Sequence, residues 1–500
     1  MASEQTRRDF MKLSGAAALG AGMAGAPRTF AQQAATATAS GKHRNMVFIL
    51  IDDQRFDALG FVNDFFDTPN LDKLAAGGTF FENAFVTTSL CSPSRATTLT
   101  GQYAHQHGVL DNSTRLDPDT PTFPKLLQEA GYKTAFCGKW HMGGSSDEPR
   151  PGFDRWVSFR GQGVYYDPTF NIDGERVRRE GYVTDLITDY AEDFLRQERD
   201  NPFFLYMSHK AVHDDFSPAK RHEGDYADRE YPYPSTMADT EENYAGKPEW
   251  VREQRDSWHG VDGMYNEQVD FDGFVKRYAE ALKAVDDSVG RIVETLRETG
   301  QLDDTLIVFT SDNGFQFGEH GLIDKRTFYE ASIRVPLIVH CPNLVPAGAR
   351  REEMILNLDH CPTILEAAGL PIPETVQGLS FAGMLDGGEI PWRTEWLYEY
   401  FWERAFPQTP TVLGVRTDRY KLMHFHGVWD KYELYDIIED PHETKNLLAP
   451  YLQTTEAGPL DALILRTAKD PEREIFKTLR DKLFKLLKDT GAAREPNWVP

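Results

Sequence analysis

Cysteine is scarce in this chain: four in 500 residues, at positions 91, 137, 341 and 361. Four cysteines spread so widely are not a disulfide framework, although a Cys341–Cys361 bridge is open to the chain in an oxidising compartment. Basic charge is also short. Lys and Arg number 54 against 78 Asp and Glu, a formal net charge of −24. That balance excludes a nucleic-acid partner, which needs a basic surface. It also requires that any anionic substrate be drawn in by a local basic cluster against an adverse overall field. Nowhere are there 18 consecutive apolar residues, so no membrane span is expected. Internal repeats and low-complexity tracts are absent from the chain beyond its N-terminal segment.

That first segment, residues 1–35, reads as an export signal. Thr6-Arg7-Arg8-Asp9-Phe10-Met11-Lys12 is a twin-arginine pattern, followed by a weakly apolar Ala/Gly run over 13–24 and small residues near Ala31. The route implied is twin-arginine export to the periplasm or beyond. It carries proteins already folded.

What remains is 40% apolar and 12% aromatic, ample for a large core. Residues 45–51 are a continuous apolar, β-branched run, the pattern of a parallel strand buried on both faces. Residues 202–208 and 305–310 read the same way. Further strands are expected over 79–86, 132–137 and 335–340. Helices are expected over 68–76, 120–130, 182–199, 275–299 and 359–369. Residues 143–180 read as loops and short strands. Beyond about 375 the texture becomes short aromatic strands (396–402, 411–416, 420–425, 432–436) and a basic amphipathic helix over 471–490. The expected fold is α/β: a large mixed, mostly parallel sheet flanked by helices, with a small C-terminal antiparallel sheet plus helix. The expected domains are 42–375, with an acidic, aromatic insertion over 214–273 near the active site, and 376–500.

The polar residues that follow these strands carry the chemistry. Asp52-Asp53 ends the first strand, and two adjacent carboxylates there repel each other unless a cation lies between them. Asp312-Asn313 ends another strand and offers two more hard oxygens. Gly138-Lys139-Trp140-His141 places a lysine and a histidine two apart, on one face if the segment is extended. His209 and His213 follow the strand over 202–208. Lys325 and His320 lie in Gly318-Glu319-His320-Gly321-Leu322-Ile323-Asp324-Lys325. Finally, Cys91-Ser92-Pro93-Ser94-Arg95, followed by Leu99-Thr100-Gly101, suits a helix with Cys91 at its N-terminus, where an anionic oxygen or sulfur is favoured.

This last stretch resembles the signature of the type I sulfatases, formylglycine-dependent enzymes of the alkaline phosphatase superfamily. The other motifs stand in that family's order across 45–450. The resemblance implies that Cys91 is oxidised to formylglycine by a formylglycine-generating or anaerobic sulfatase-maturating enzyme. It implies that Asp52, Asp53, Asp312 and Asn313, with the modified Cys91, bind a divalent cation. All-oxygen ligation points to calcium or magnesium rather than zinc, and the resemblance favours calcium. It assigns Arg95, Lys139 and Lys325 to the sulfuryl oxygens. His213, in an Ala-Val-His context where Ala-Pro-His is usual, would protonate the leaving oxygen with help from Lys325. His141 would be the base that lets the hydrated aldehyde release sulfate. His320 and His209 are weaker candidates for substrate contact. The function implied is hydrolysis of sulfate monoesters, carried by a sulfated sugar or an aryl sulfate. The rivals are a phosphonate or phosphate ester hydrolase of the same superfamily, and a non-catalytic polyanion-binding protein in which Cys91 stays a thiol.

Overall fold

In the computed structural model, residues 43–267, 270–426, 431–452 and 460–492 are described. The twin-arginine segment lies outside them. Asn45–Ile51 forms the central strand, and Met46 to Ile51 are all buried. Its side chains alternate between two cores: Val47, Ile49 and Ile51 enter one, Met46, Phe48 and Leu50 the other. A strand with no polar face is stable only with both faces covered. One face is covered by the helices Val183–Leu195 and Phe271–Glu298, the other by Cys91–Thr100, Phe123–Glu129 and His360–Ala367.

The sheet has ten strands. Its middle is parallel: Thr305–Ser311, Asn45–Ile51, Phe203–Ser208, Lys133–Lys139 and Arg155–Phe159 lie side by side in that order. Antiparallel pairings extend it at both sides, through Leu337–His340 and through Thr169–Ile172 with Glu175–Arg178. The C-terminal region is a four-stranded antiparallel meander, Glu395–Tyr400, Thr411–Thr417, Tyr420–His426 and Lys431–Asp436. The helix Glu472–Asp489 packs on it through Phe476, Leu479, Leu483 and Leu487. The same core takes in Leu90, Phe328 and Tyr329, which flank Cys91 and Lys325 in sequence.

Two expected strands are each broken in two. The run over 79–86 becomes Thr79–Phe81 in the large sheet and Ala84–Phe85 in a separate three-stranded sheet. The run over 335–340 divides at Pro336, which has no N–H for a ladder. Arg334–Val335 joins the small sheet and Leu337–His340 the large one. The long helix begins at Phe271, earlier than periodicity suggests, because the Asp270 side chain caps it by accepting from the Gly273 N–H at 2.7 Å. All four cysteines are free and buried, so no Cys341–Cys361 bridge forms. No helix among the described residues is long and apolar enough to cross a membrane.

Candidate active site

Strand register assembles the site. Ile51 pairs with Ser311, so Asp52 and Asp312 emerge side by side although 260 positions separate them in sequence. The turn is tied off by the Asp53 N–H donating to Asp312 Oδ1 (3.1 Å) and the Gln54 N–H to Ser311 Oγ (2.9 Å). Oxygens of Asp52, Asp53 and Asp312 lie within 4.8 Å of one another, all buried. Crowding has a cost that shows in the titration of the cluster. Burial, with the Asp52 charge beside it, pushes Asp312 up to about 7. Asn313 donates Nδ2 to Asp53 Oδ1 (2.7 Å), while its Oδ1 is buried without a partner among the described residues. Three hard carboxylates and an orphaned amide oxygen are a donor set that fits a calcium- or magnesium-like ion.

Cys91 is the first residue of its helix, which ends at Gly101 in the left-handed region (φ 68°). Its sulfur lies 3.4 Å from Asp52 Oδ1 and 3.1 Å from Lys325 Nζ. Burial and the Asp52 charge push the thiol well above its ordinary range, so the unmodified sulfur is not a ready nucleophile. Three buried cations balance the three carboxylates. Lys325 Nζ spans both Asp53 oxygens at 2.5 and 2.7 Å, and Lys139 Nζ contacts Asp52 Oδ2. Arg95 binds Asp312 Oδ2 through Nε and a terminal nitrogen, each at 2.8 Å. Its other terminal nitrogen donates to the Lys139 carbonyl (2.7 Å) and Ser208 Oγ (2.6 Å). Arg95 thus holds Asp312, Ser208 and the Lys139 carbonyl, while the terminal nitrogen that faces Asp312 and Asp52 has no hydrogen-bond partner among the described residues.

Lys139 and Ser208 come together because Gly138 lets two backbones touch. A Cβ on Gly138 (φ 125°) would lie 1.8 Å from the Ser208 carbonyl oxygen. The extended geometry expected for 139–141 does not hold, since His141 has φ 56°. Its ring nevertheless reaches the helix start, with Nδ1 3.4 Å from Ser92 Oγ. Burial and the Lys139 charge hold it well below the usual imidazole range. His213 also reaches the cluster, Nε2 lying 3.9 Å from Asp53 Oδ2.

The remaining two histidines are placed elsewhere. His209 is fully buried with Nε2 3.2 Å from Ser288 Oγ on the long helix, because it continues the strand with its side chain toward that helix. His320 sits in a tight turn (φ 59°) that packs its ring against Tyr329, tilted by 34° with centroids 4.0 Å apart. It lines a separate cavity of about 1290 Å³ with Arg55, Tyr233 and Arg334, which contains none of the cluster.

Sequence reasoning missed several neighbours. Gln162 accepts from Lys139 Nζ, and its one sequence cue is the flanking pair Gly161 and Gly163. Asp214 pairs with His213 Nδ1. Beside Lys325, Asp324 Oδ2 is buried with no hydrogen-bond partner among the described residues, and Oδ1 accepts from Arg326 at 2.8 Å. Arg326 also holds Glu403 (2.8 Å) under the ring of Phe406. His259 stacks on Phe406 and lies 3.6 Å from Asp324 Oδ2. Only folding brings these segments next to Lys325.

A mostly parallel α/β sheet that gathers carboxylates, cations and a buried thiol at its strand ends is the class of site that holds a ligand beyond the carboxyl ends of its strands. Residues 44–370 match the sulfatase family model, and 318–458 match the C-terminal model of N-sulphoglucosamine sulphohydrolase. The chain belongs to the sulfatase family and is a sulfuric ester hydrolase. An N-acetylglucosamine-6-O-sulfatase of Bacteroides thetaiotaomicron is 34% identical over 493 residues, covering 86% of this chain and 87% of that protein. The human N-acetylglucosamine-6-sulfatase is 31% identical over 405 residues, covering 75% of this chain and 70% of its own. A solved structure described as a complex with its substrate D-glucosamine-2-N,6-O-disulfate superposes with a TM-score of 0.80 at 31% identity, over 92% of this chain and all of that one. A phosphonate monoester hydrolase from Silicibacter pomeroyi shares the fold (TM-score 0.72, 23% identity, 91% and 97% covered).

Proposed function

We propose that this sulfatase removes the 6-O-sulfate from glucosamine or N-acetylglucosamine units of a short oligosaccharide. The observation that carries the reading is the placement of Cys91 between Asp52 and Lys325, at the focus of balanced buried charges. The sugar class rests on the relatives that this chain matches along most of its length.

The proposed cofactors are a formylglycine at position 91 and a calcium ion held by Asp52, Asp53, Asp312 and Asn313. Together they supply an activated hydroxyl nucleophile and Lewis-acid stabilisation. Three carboxylates against three cations leave the buried cluster near neutral, so a divalent ion makes it cationic. That local charge draws an anionic ester to a chain of net charge −24. Lys139 and Lys325 offset charge on the sulfuryl oxygens, and Arg95 braces Asp312. His213 protonates the leaving sugar oxygen, and His141 serves as the base. Asp324 Oδ2, which faces His259 at 3.6 Å without a hydrogen bond, accepts from a sugar hydroxyl, with Arg326 donating beside it. The insertion that carries His259 shapes this wall, so it selects substrate. The mature protein is exported by the twin-arginine route after oxidation of Cys91 by a maturating enzyme. The sulfatase relatives are 31–34% identical and the phosphonate monoester hydrolase 23%, which supports sulfate esters over phosphonate or phosphate esters as the main substrates.

Two measurements test this. Mass spectrometry of the tryptic peptide of residues 74–95, from protein made with a formylglycine-generating enzyme, should show an aldehyde in place of the Cys91 thiol. The matured enzyme should release sulfate from 6-sulfated N-acetylglucosamine faster than from 6-sulfated galactose, and faster than it cleaves a phosphonate monoester. An intact thiol sinks the mechanism, and a reversed order of substrates sinks the specificity.

A further inference from the structure

Among the groups missed in the sequence, those around His213 form a coherent device. The loop that carries His213 is laced to the first strand: the Val212 N–H donates to the Asp52 carbonyl (2.7 Å) and the Asp52 N–H to the Ala211 carbonyl (3.1 Å). Two side chains then hold the next two carbonyls. Tyr165 Oη donates to the His213 carbonyl at 2.6 Å, and Lys210 Nζ donates to the Asp214 carbonyl at 2.8 Å. Lys210, only 3% exposed, lies over the Tyr165 ring at 4.6 Å. At the ring itself, Nδ1 contacts Asp214 Oδ1 and lies 3.1 Å from the Asp214 carbonyl oxygen.

Both groups at Nδ1 are acceptors, so Nδ1 carries a hydrogen. The hydrogen bond at one imidazole nitrogen fixes what the other can do. The exchangeable proton is therefore on Nε2, which is the nitrogen that faces the cluster. A histidine alone on a loop would sample other rotamers and either tautomer. This one is held at its ring by a carboxylate and at its backbone by a phenol and an ammonium.

We propose that Asp214, Tyr165 and Lys210 are positioning residues that aim the Nε2 proton of His213 at the ester oxygen of the substrate. This rests on the reading of His213 as the proton donor. As the S–O bond breaks, its electron pair goes to the sugar oxygen, and the sulfuryl group passes to the nucleophile at position 91. The sugar oxygen takes the Nε2 proton and leaves as a neutral alcohol. The ring is left neutral, with its Nδ1–H still on Asp214, and takes its next proton from water.

The chemistry gives a readout that a merely structural role would not move. A nitrophenolate leaves without help, whereas a sugar alkoxide does not. The test compares matured, calcium-loaded, full-length enzyme on 4-nitrophenyl sulfate and on 6-sulfated N-acetylglucosamine. A well-placed general acid contributes about 10²–10⁴-fold, so H213A should lose that much on the sugar and far less on the aryl ester. D214A should lose about 10–100-fold in kcat on the sugar, with a clearly smaller loss on the aryl ester. Y165F, which removes one hydroxyl and no bulk, should show the same bias at a smaller size. Equal losses on both substrates for D214A and Y165F, with H213A biased, would overturn the positioning role and leave His213 as the donor. An unbiased H213A would overturn the reading of His213, and the inference with it.

Discussion

Replacing Arg95 with Met tests whether Arg95 braces the carboxylates or touches the substrate. Methionine keeps much of the length and bulk, so packing changes little. What is lost is specific. Asp312 loses two contacts at 2.8 Å, and Ser208 Oγ and the Lys139 carbonyl lose donors at 2.6 and 2.7 Å. The Lys139 carbonyl keeps the Ser208 hydroxyl at 2.8 Å, so the main injury is a buried carboxylate left without its cation. Stripping one partner from a buried ion pair costs about 3–5 kcal/mol. R95M should therefore lose about that much unfolding free energy in chelator, measured by urea denaturation with tryptophan fluorescence on protein carrying the Cys91 thiol. In saturating calcium the loss should shrink, because an ion among Asp52, Asp53 and Asp312 replaces the missing charge. A loss under about 1 kcal/mol in chelator would refute the bracing role. An equal loss with and without calcium would refute the placement of the ion.

Two further outcomes follow from the packing. G138A drives a Cβ to within 1.8 Å of the Ser208 carbonyl oxygen at a φ of 125°. It should cost about 3 kcal/mol or more in stability and cripple turnover by parting Lys139 from Ser208; wild-type denaturation curves would contradict the close approach. His105 donates Nδ1–H to buried Glu399 at 2.7 Å, and burial opposes its charge while the Glu399 hydrogen bond and charge outweigh it and raise its pKa above 6.5. Its stabilisation is therefore full below pH 6.5 and is lost as pH rises through the higher folded value. E399Q should flatten that slope in denaturation curves taken across the range, and an unaltered slope would remove His105 as its source.

The motif residues could be read from sequence because their chemistry is local. Asp52-Asp53 and Asp312-Asn313 stand out since adjacent oxygens at the end of an apolar run have no use in a core. Cys91 to Gly101 spells a helix start and stop, and both are where the spacing put them. Buried strands were legible for the same reason: residues 45–51, 203–208 and 305–311 are apolar except at their ends, the pattern of a doubly covered parallel strand. The split of the run over 335–340 was also written there, in Pro336.

Side-chain direction was not legible. Alternation along an extended chain pairs Lys139 with His141, but a positive φ at His141 ends that geometry, and its ring arrives by another path. By residue type alone His209 and His213 look alike, and only the resemblance ranks His213 first. The first still continues the strand and turns to Ser288, while the second lies beyond the contacts that tie its loop to Asp52. Arg95 sits one turn from Cys91 as expected, yet only the register of three strands brings Asp312, Lys139 and Ser208 around it. Asp324, Arg326, Glu403 and His259 meet only when three distant segments fold together. By itself, then, the sequence determined which strands are buried and which polar motifs follow them, because both follow from residue type and spacing. The tertiary structure alone decided which of those groups share a site, because that depends on register and backbone torsion, where a difference of one residue or one sign of φ reverses a side chain.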